Sequence, residues 1–233
     1  MPVVSRMSVL IGLIFTTFLI VSGFSYIKRQ EKKKILFFGD SITQAGVMPN
    51  GYISQMNKML DSQNLATKYE LIGSGIGGNK IYDLYLRMDS DVIKKNPAVV
   101  IIYVGVNDVW HKSTYGTGTD PDKFVNFYNA VIKKLKANKI SVILCTPAVI
   151  GERIDNSNAQ DGDLNRYSSF IRNIAKEQQL PLVDLRKAFL EYNLKNNPDN
   201  KEQGILTTDR VHLNPAGNKL VMEEMWKEIS KLR

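Results

Sequence analysis

The chain has 233 residues, with 31 Lys and Arg against 23 Asp and Glu, two His and one Cys. That length is ordinary for one domain with a sizeable core, and the supply of aliphatic and aromatic residues excludes intrinsic disorder. A single cysteine excludes an intramolecular disulfide framework, and with two histidines it leaves no zinc cluster to assemble.

The formal net charge of +8 is unevenly placed. Arg6 and the tract Lys28–Lys34 supply most of it, leaving residues 35–233 a balance of only +3. A nucleic-acid footprint needs clustered basic charge on the folded body, so no nucleic-acid partner is expected.

From Met7 to Ile27 no residue is charged, and Val9–Val21 is strongly apolar. About 20 such residues suffice for a membrane-spanning helix, and about 7–15 for the core of a signal peptide. Val21-Ser22-Gly23 has the small-residue character of a cleavage site, whereas the basic tract that follows favours retention. Residues 1–34 are therefore read as a signal peptide or membrane anchor with a basic juxtamembrane tract, any membrane association running through residues 7–27. The protein is expected to be exported, either secreted or anchored. The position of the basic tract after the span keeps a cytoplasm-facing anchor as the alternative.

Residues 35–233 form the folded domain on this reading. Strands are expected at Ile35–Phe38, Tyr69–Ile72, Ala98–Val104, Ile140–Cys145 and Leu182–Val183, each a short apolar run bounded by turn residues. Helices are expected at Tyr52–Ser62, Ile81–Lys94, Pro121–Asn138, Asp163–Gln179, Leu185–Asn196 and Pro215–Leu232. In the third of these, Phe124, Phe127, Tyr128, Val131, Ile132 and Leu135 recur at helical spacing. Strands alternating with helices predict parallel βαβ units with helices on both faces.

In such a sheet, chemistry gathers beyond the carboxyl ends of the strands. The segments there are Gly39–Met48, Gly73–Lys80, Gly105–Asp120 and Thr146–Asp161, read as loops, and the late loop Thr207–Pro215 reaches the same rim. They carry Gly39-Asp40-Ser41-Ile42-Thr43, Gly77-Gly78-Asn79, Gly105-Val106-Asn107-Asp108 and Asp209-Arg210-Val211-His212. Singly, each has a plain structural use: a helix cap, a tight turn, a surface histidine. Together they supply what acyl transfer requires. A hydroxyl nucleophile needs a base that titrates near neutrality, the base needs a carboxylate to fix its tautomer, and the oxyanion needs preorganised donors.

These four blocks, in this order, resemble those of the SGNH (GDSL-type) hydrolase family, across most of residues 35–217. The resemblance implies a three-layer α/β/α sandwich around a flavodoxin-like, doubly wound parallel sheet of about five strands. It also implies an esterase or acylhydrolase needing no metal or other cofactor. Carried over by position, Ser41 is the nucleophile, His212 the general base and Asp209 its orienter, with the Ser41 and Gly78 N–H groups and the Asn107 carboxamide as oxyanion hole. An Asn commonly opens the glycine block in the family, where this chain has Ile72-Gly73-Ser74-Gly75. Gly77 therefore stays open as the donor in place of Gly78.

Three further expectations complete the reading. Trp110, His111 and Tyr115 are candidates for lining the substrate, since aromatic faces suit sugar rings or acyl chains, with His111 the one rival base. The substrate is expected to be a short-chain acyl ester, acetyl above all, of a small molecule or carbohydrate. A lysophospholipase or thioesterase is the alternative, and a catalytically silent binding protein the alternative of another class. Gly73-Ser74-Gly75-Ile76-Gly77-Gly78 also satisfies the dinucleotide-binding pattern G-x-G-x-x-G. The following strand, however, ends at Val104-Gly105 without the acidic residue that would hold a ribose.

Overall fold

Strands buried on both faces must be apolar along their whole length rather than at alternate positions. The two central strands of the sheet are built that way, in a computed structural model that describes residues 31–232. Strand β1 (Lys33–Gly39) buries Ile35, Leu36, Phe37 and Phe38 completely, and β3 (Val99–Tyr103) is buried throughout. Around them lie β2 (Tyr69–Gly75), β4 (Ser141–Cys145) and β5 (Leu182–Val183). The order is β2-β1-β3-β4-β5, with every pairing parallel. Residues up to Lys32 make a unit separate from Lys33–Arg233, and the description below concerns the latter.

The strand order sets the layers. The chain leaves β1 in one direction to reach β2 and then returns past β1 to β3, β4 and β5. Right-handed crossovers therefore send the first connection to one face and the later ones to the other. The first connection holds α1 (Ser41–Gly46) and α2 (Tyr52–Ser62). The later ones hold α3 (Ile81–Asp91), α4 (Val106–Tyr115), α5 (Pro121–Ala137) and α6 (Asp161–Glu177). The final helices are α7 (Leu185–Asn196) and α8 (Pro215–Ile229). Contacts agree with this division, since α3 packs on α5 and α5 on α6, while α2 packs on α8 and α8 on α7. The result is a three-layer α/β/α sandwich of the flavodoxin-like order. Its direction changes between β1 and β3, the place where such sheets open a crevice.

Helices and strands fall where apolar periodicity predicts them, with ends moved by a few residues. The helix expected over Ile81–Lys94 stops at Asp91 and is followed by a 3₁₀ turn, Ile93–Lys95, that ends on Asn96 in the left-handed region at φ 47°. Two segments read as loops are helical: Gly39–Met48 contains α1, and Gly105–Asp120 contains α4. Strand β2 runs three residues past its expected end, so Gly73 and Gly75 are sheet residues and the dinucleotide pattern has no phosphate loop behind it. Residues 7–27, read as an export signal or anchor, lie outside the described residues. Among the described residues no helix is long and apolar enough to cross a membrane.

Candidate active site

Ser41 is the first residue of α1, directly beyond the end of β1. Asp40 caps this short helix: its Oδ1 accepts from the Ile42 N–H at 3.0 Å and its carbonyl from the Gln44 N–H at 2.9 Å. The Ser41 N–H has no partner among the described residues, as is common for the first N–H groups of a helix. The helix also lies unusually close to β2. A Cβ on Gly75 would stand 2.1 Å from the Gln44 nitrogen, so only glycine allows the strand end and the nucleophile helix to meet.

Asp209 and His212 share one tight turn. Asp209 Oδ1 accepts from the Val211 N–H at 3.1 Å and the His212 N–H at 2.7 Å, and Oδ2 lies 2.7 Å from His212 Nδ1. The turn is closed by the Thr208 N–H, which donates to the His212 carbonyl at 2.8 Å, and by an antiparallel bridge between Thr207 and Leu213. Burial alone would raise the Asp209 carboxyl, but the bonds from the His212 ring and N–H outweigh it and hold the group below its ordinary range. The ionised carboxylate keeps a proton on Nδ1 and leaves Nε2 as an acceptor. Nε2 stands 2.9 Å from Ser41 Oγ, so the three side chains form an unbroken chain. It reaches from one sheet end to a loop 171 residues further along.

The glycine loop passes close to Ser41, a Cβ on Gly77 standing 4.0 Å from Ser41 Cβ, and two candidate donors belong to it or are bonded to it. Gly78 sits at φ +74°, a conformation that glycine adopts without strain, and its N–H has no partner among the described residues. The neighbouring Gly77 N–H is taken up by Gln44 Oε1 at 2.8 Å, which leaves Gly78 as the free donor of the pair. Asn107, 1% exposed at the start of α4, uses one Nδ2 hydrogen on the Asn79 carbonyl at 3.1 Å and keeps the other. Behind them stands Arg87 of α3, a residue that sequence reasoning missed. Its guanidinium donates to the Gly39 carbonyl at 2.7 Å, the Ser74 carbonyl at 3.1 Å and Asn79 Oδ1 at 2.7 Å, and its charge lies 4.5 Å from the centre of the Phe38 ring. One side chain thus ties the ends of β1 and β2 to the loop that carries Gly78. The only trace of it in sequence is the i,i+4 pair with Asp91 at 2.7 Å.

Two carboxyls lie buried beneath this surface. Asp108 accepts from Thr119 Oγ1 at 2.5 Å and from the Ile81 N–H at 3.3 Å, which joins the starts of α3 and α4. Burial raises its pKa to about 6. Burial likewise raises Asp40 to about 7, opposed by the Ile42 N–H and assisted by the charge of Asp108. The folded protein therefore keeps the Asp40 proton up to about pH 7, whereas the unfolded chain releases it near 3.8. The folded state binds more protons across that window, so this contribution to stability is complete below about pH 4 and is lost as the pH rises to 7. Asp40→Asn retains an oxygen for the Ile42 N–H and cannot titrate. Its melting temperature is expected to fall less than that of the wild type between pH 5 and pH 8. Parallel melting curves across that range would remove Asp40 as the cause.

The three aromatic candidates occupy different depths. Trp110 meets His212 edge-on, with ring centres 6.1 Å apart, and lies 5.7 Å from His111. The His111 ring borders the glycine loop: its Cε1 is 3.8 Å from where a Cβ on Gly78 would stand. Burial first, and then the charge of Lys80, lower the His111 pKa. It makes ring contacts with Trp110 and Tyr115 and has no carboxylate partner among the described residues, so it lacks there the orienting acid that His212 has. Tyr115 is one ring further out, 4.8 Å from His111 and 65% exposed. Among the described residues no group of three His, Cys, Asp or Glu side chains could hold a metal ion.

The profile of the GDSL-like lipase/acylhydrolase family matches residues 37–220, from the end of β1 through the other four strands, the glycine loop and the Asp209–His212 turn. The chain belongs to that family. As a GDSL-like acylhydrolase it is a carboxylic ester hydrolase. Its fold is that of solved acetyl xylan esterases. The crystal structure of the acetyl xylan esterase AlAXEase superposes with a TM-score of 0.83 at 62% identity, covering 84% of this chain and 99% of that one. The acetylxylan esterase of Geobacillus stearothermophilus is 28% identical over 84% of this chain and 94% of its own length. Crystal structures of catalytic mutants of Axe2, an acetylxylan esterase of the same organism, replace a serine, an aspartate and a histidine. They superpose at a TM-score of 0.75 with 25–26% identity, covering 86% of this GDSL-like chain and 96% of theirs.

Proposed function

We propose that the enzyme removes acetyl groups from acetylated carbohydrates, xylan-type oligosaccharides foremost, through an acyl-enzyme on Ser41. The observation that carries the mechanism is the continuous line from Asp209 Oδ2 through His212 to Ser41 Oγ, at 2.7 Å and 2.9 Å. His212 Nε2 takes the hydroxyl proton as Oγ attacks the ester carbonyl. The carbonyl oxygen becomes an oxyanion facing the Ser41 and Gly78 N–H groups and the Asn107 carboxamide, each such donor contributing about 3–4 kcal/mol to lowering the barrier. The imidazolium, steadied by Asp209, then gives its proton to the departing alcohol. A water molecule delivers the second attack, with His212 again as base, and acetate leaves.

Two observations support the acetyl and carbohydrate parts of the reading. The first is the 62% identity to an acetyl xylan esterase over 84% of the chain. The second is the placement of Trp110 against His212 and of His111 against Gly78, which crowds the space beside the oxyanion donors and favours short acyl groups. The uncharged run through residues 7–27 and its basic flank support export of the enzyme to where such polysaccharides lie.

The full chain tests this directly on p-nitrophenyl acetate, butyrate and octanoate and on acetylated xylo-oligosaccharides. Acetate release from the oligosaccharides is expected, with kcat/KM for the acetate ester exceeding that for octanoate by about tenfold or more. Preference for octanoate, or failure to release acetate from the sugars, would overturn the substrate assignment and favour a lipid-directed acylhydrolase.

A further inference from the structure

Arg210 sits inside the Asp209–His212 turn at φ +79°, a region that residues with a side chain seldom occupy. Gly or Asn would satisfy that backbone with less strain. Arginine brings a side chain that reaches Glu202, with Nη1 2.7 Å from Oε1. Arg153 approaches the other oxygen of the same carboxylate at 3.6 Å. All three side chains are more than 40% exposed, and exposed ion pairs contribute little to stability. Strain of this kind clusters at functional sites, and this turn carries Asp209 and His212.

These three side chains, with Ile150, Asn158 and Gln160, line a cavity of about 210 Å³. Two of its lining residues are tied to segments that carry the ester site. Gln160 Nε2 donates to the Val109 carbonyl at 3.1 Å, holding the backbone beside Trp110, whose ring lies against His212. The Arg210 carbonyl accepts from the Gly151 N–H at 2.9 Å, and its neighbour in the chain is Asp209. Pockets for drug-sized ligands run to about 300–1,000 Å³; this one suits a single sugar ring.

We propose that this cavity is the subsite for a neutral sugar unit next to the acetylated one, with Arg153, Glu202 and Arg210 reading its hydroxyl groups. The proposal rests on the carbohydrate reading above. Sugar hydroxyls both donate and accept, and the cluster offers a carboxylate acceptor flanked by two guanidinium donors. Gln160 adds its carboxamide oxygen, its Nε2 being held by the Val109 carbonyl, while the Asn158 carboxamide is taken up by Arg153 and Asp161 and shapes the wall.

The test uses binding rather than turnover. Full-length protein carrying Ser41→Ala is titrated calorimetrically with unacetylated xylotriose. Adding Arg210→Gly, which relaxes the backbone and so protects the fold, is expected to raise Kd by about tenfold or more, and Glu202→Gln likewise. Unchanged Kd in both, or no binding of xylotriose by the parent, overturns the subsite. Tighter binding in Glu202→Gln also overturns it, because removing the carboxylate would then have uncovered an anion site. Wild-type hydrolysis of acetylated xylo-oligosaccharides is measured alongside. If acetate is released while xylotriose binding ignores both substitutions, the subsite fails and the esterase reading stands. If no acetate is released, the acetylated-carbohydrate reading fails, and the titrations still decide the subsite.

Discussion

Ser41→Ala is expected to lower kcat on p-nitrophenyl acetate by about 10⁶-fold, the scale on which loss of a triad nucleophile acts. The hydroxyl contributes little to the fold. Its side chain is partly exposed at the rim, the α1 cap belongs to Asp40, and its one side-chain bond is to His212 Nε2. Melting temperature should therefore stay close to that of the wild type while turnover collapses. What survives comes from the Gly78 and Asn107 donors and from binding, and should show no burst of p-nitrophenol before steady state. A variant that keeps wild-type turnover would move the nucleophile elsewhere. His111 would then become the base to examine, since it is the one other histidine.

Asp209→Asn is expected to lower kcat by about 10⁴-fold with little change in KM. The substitution changes no volume. An asparagine oxygen at the Oδ1 position can still accept from the Val211 and His212 N–H groups, so the turn should persist. The amide nitrogen would then face His212 Nδ1 where Oδ2 now stands at 2.7 Å, donating a hydrogen in place of accepting one. The ring answers by carrying its proton on Nε2, and Nε2 can no longer accept from Ser41. Nitrogen-15 chemical shifts of the histidine ring would report the change of tautomer directly. Retained activity with the proton still on Nδ1 would mean that another group orients the base.

Much of this architecture is visible in the residues, for reasons that also explain the gaps. Strands β3 and β4 are continuous apolar runs because both their faces are covered, and α5 shows its buried stripe from Phe124 to Leu135. Asp209 and His212 are close in sequence because one turn holds them both. Helix α4 was hidden because it departs from the usual pattern. It buries Asn107, Asp108 and His111 beside Val106 and Val109 and exposes Tyr115, so its inward face mixes polar and apolar residues and shows no clean stripe. Helix α1 is six residues long and too short for any period to register. Arg87 acts through carbonyls 13 and 48 residues away, and the Gln44 side chain through a glycine 33 residues away. Such contacts exist only once the sheet has brought its strand ends together.

The closed turn from Thr208 to His212 has a mechanical consequence. Acid and base are bonded to each other and to their own backbone within five residues, so they travel together as one rigid jaw. Within the triad, breathing of the late loop would keep the Asp209–His212 spacing and change the 2.9 Å gap between Nε2 and Ser41 Oγ. Whatever moves that loop, including a ligand grasped by Arg210 at its tip, would open or close the nucleophile's proton path along one coordinate.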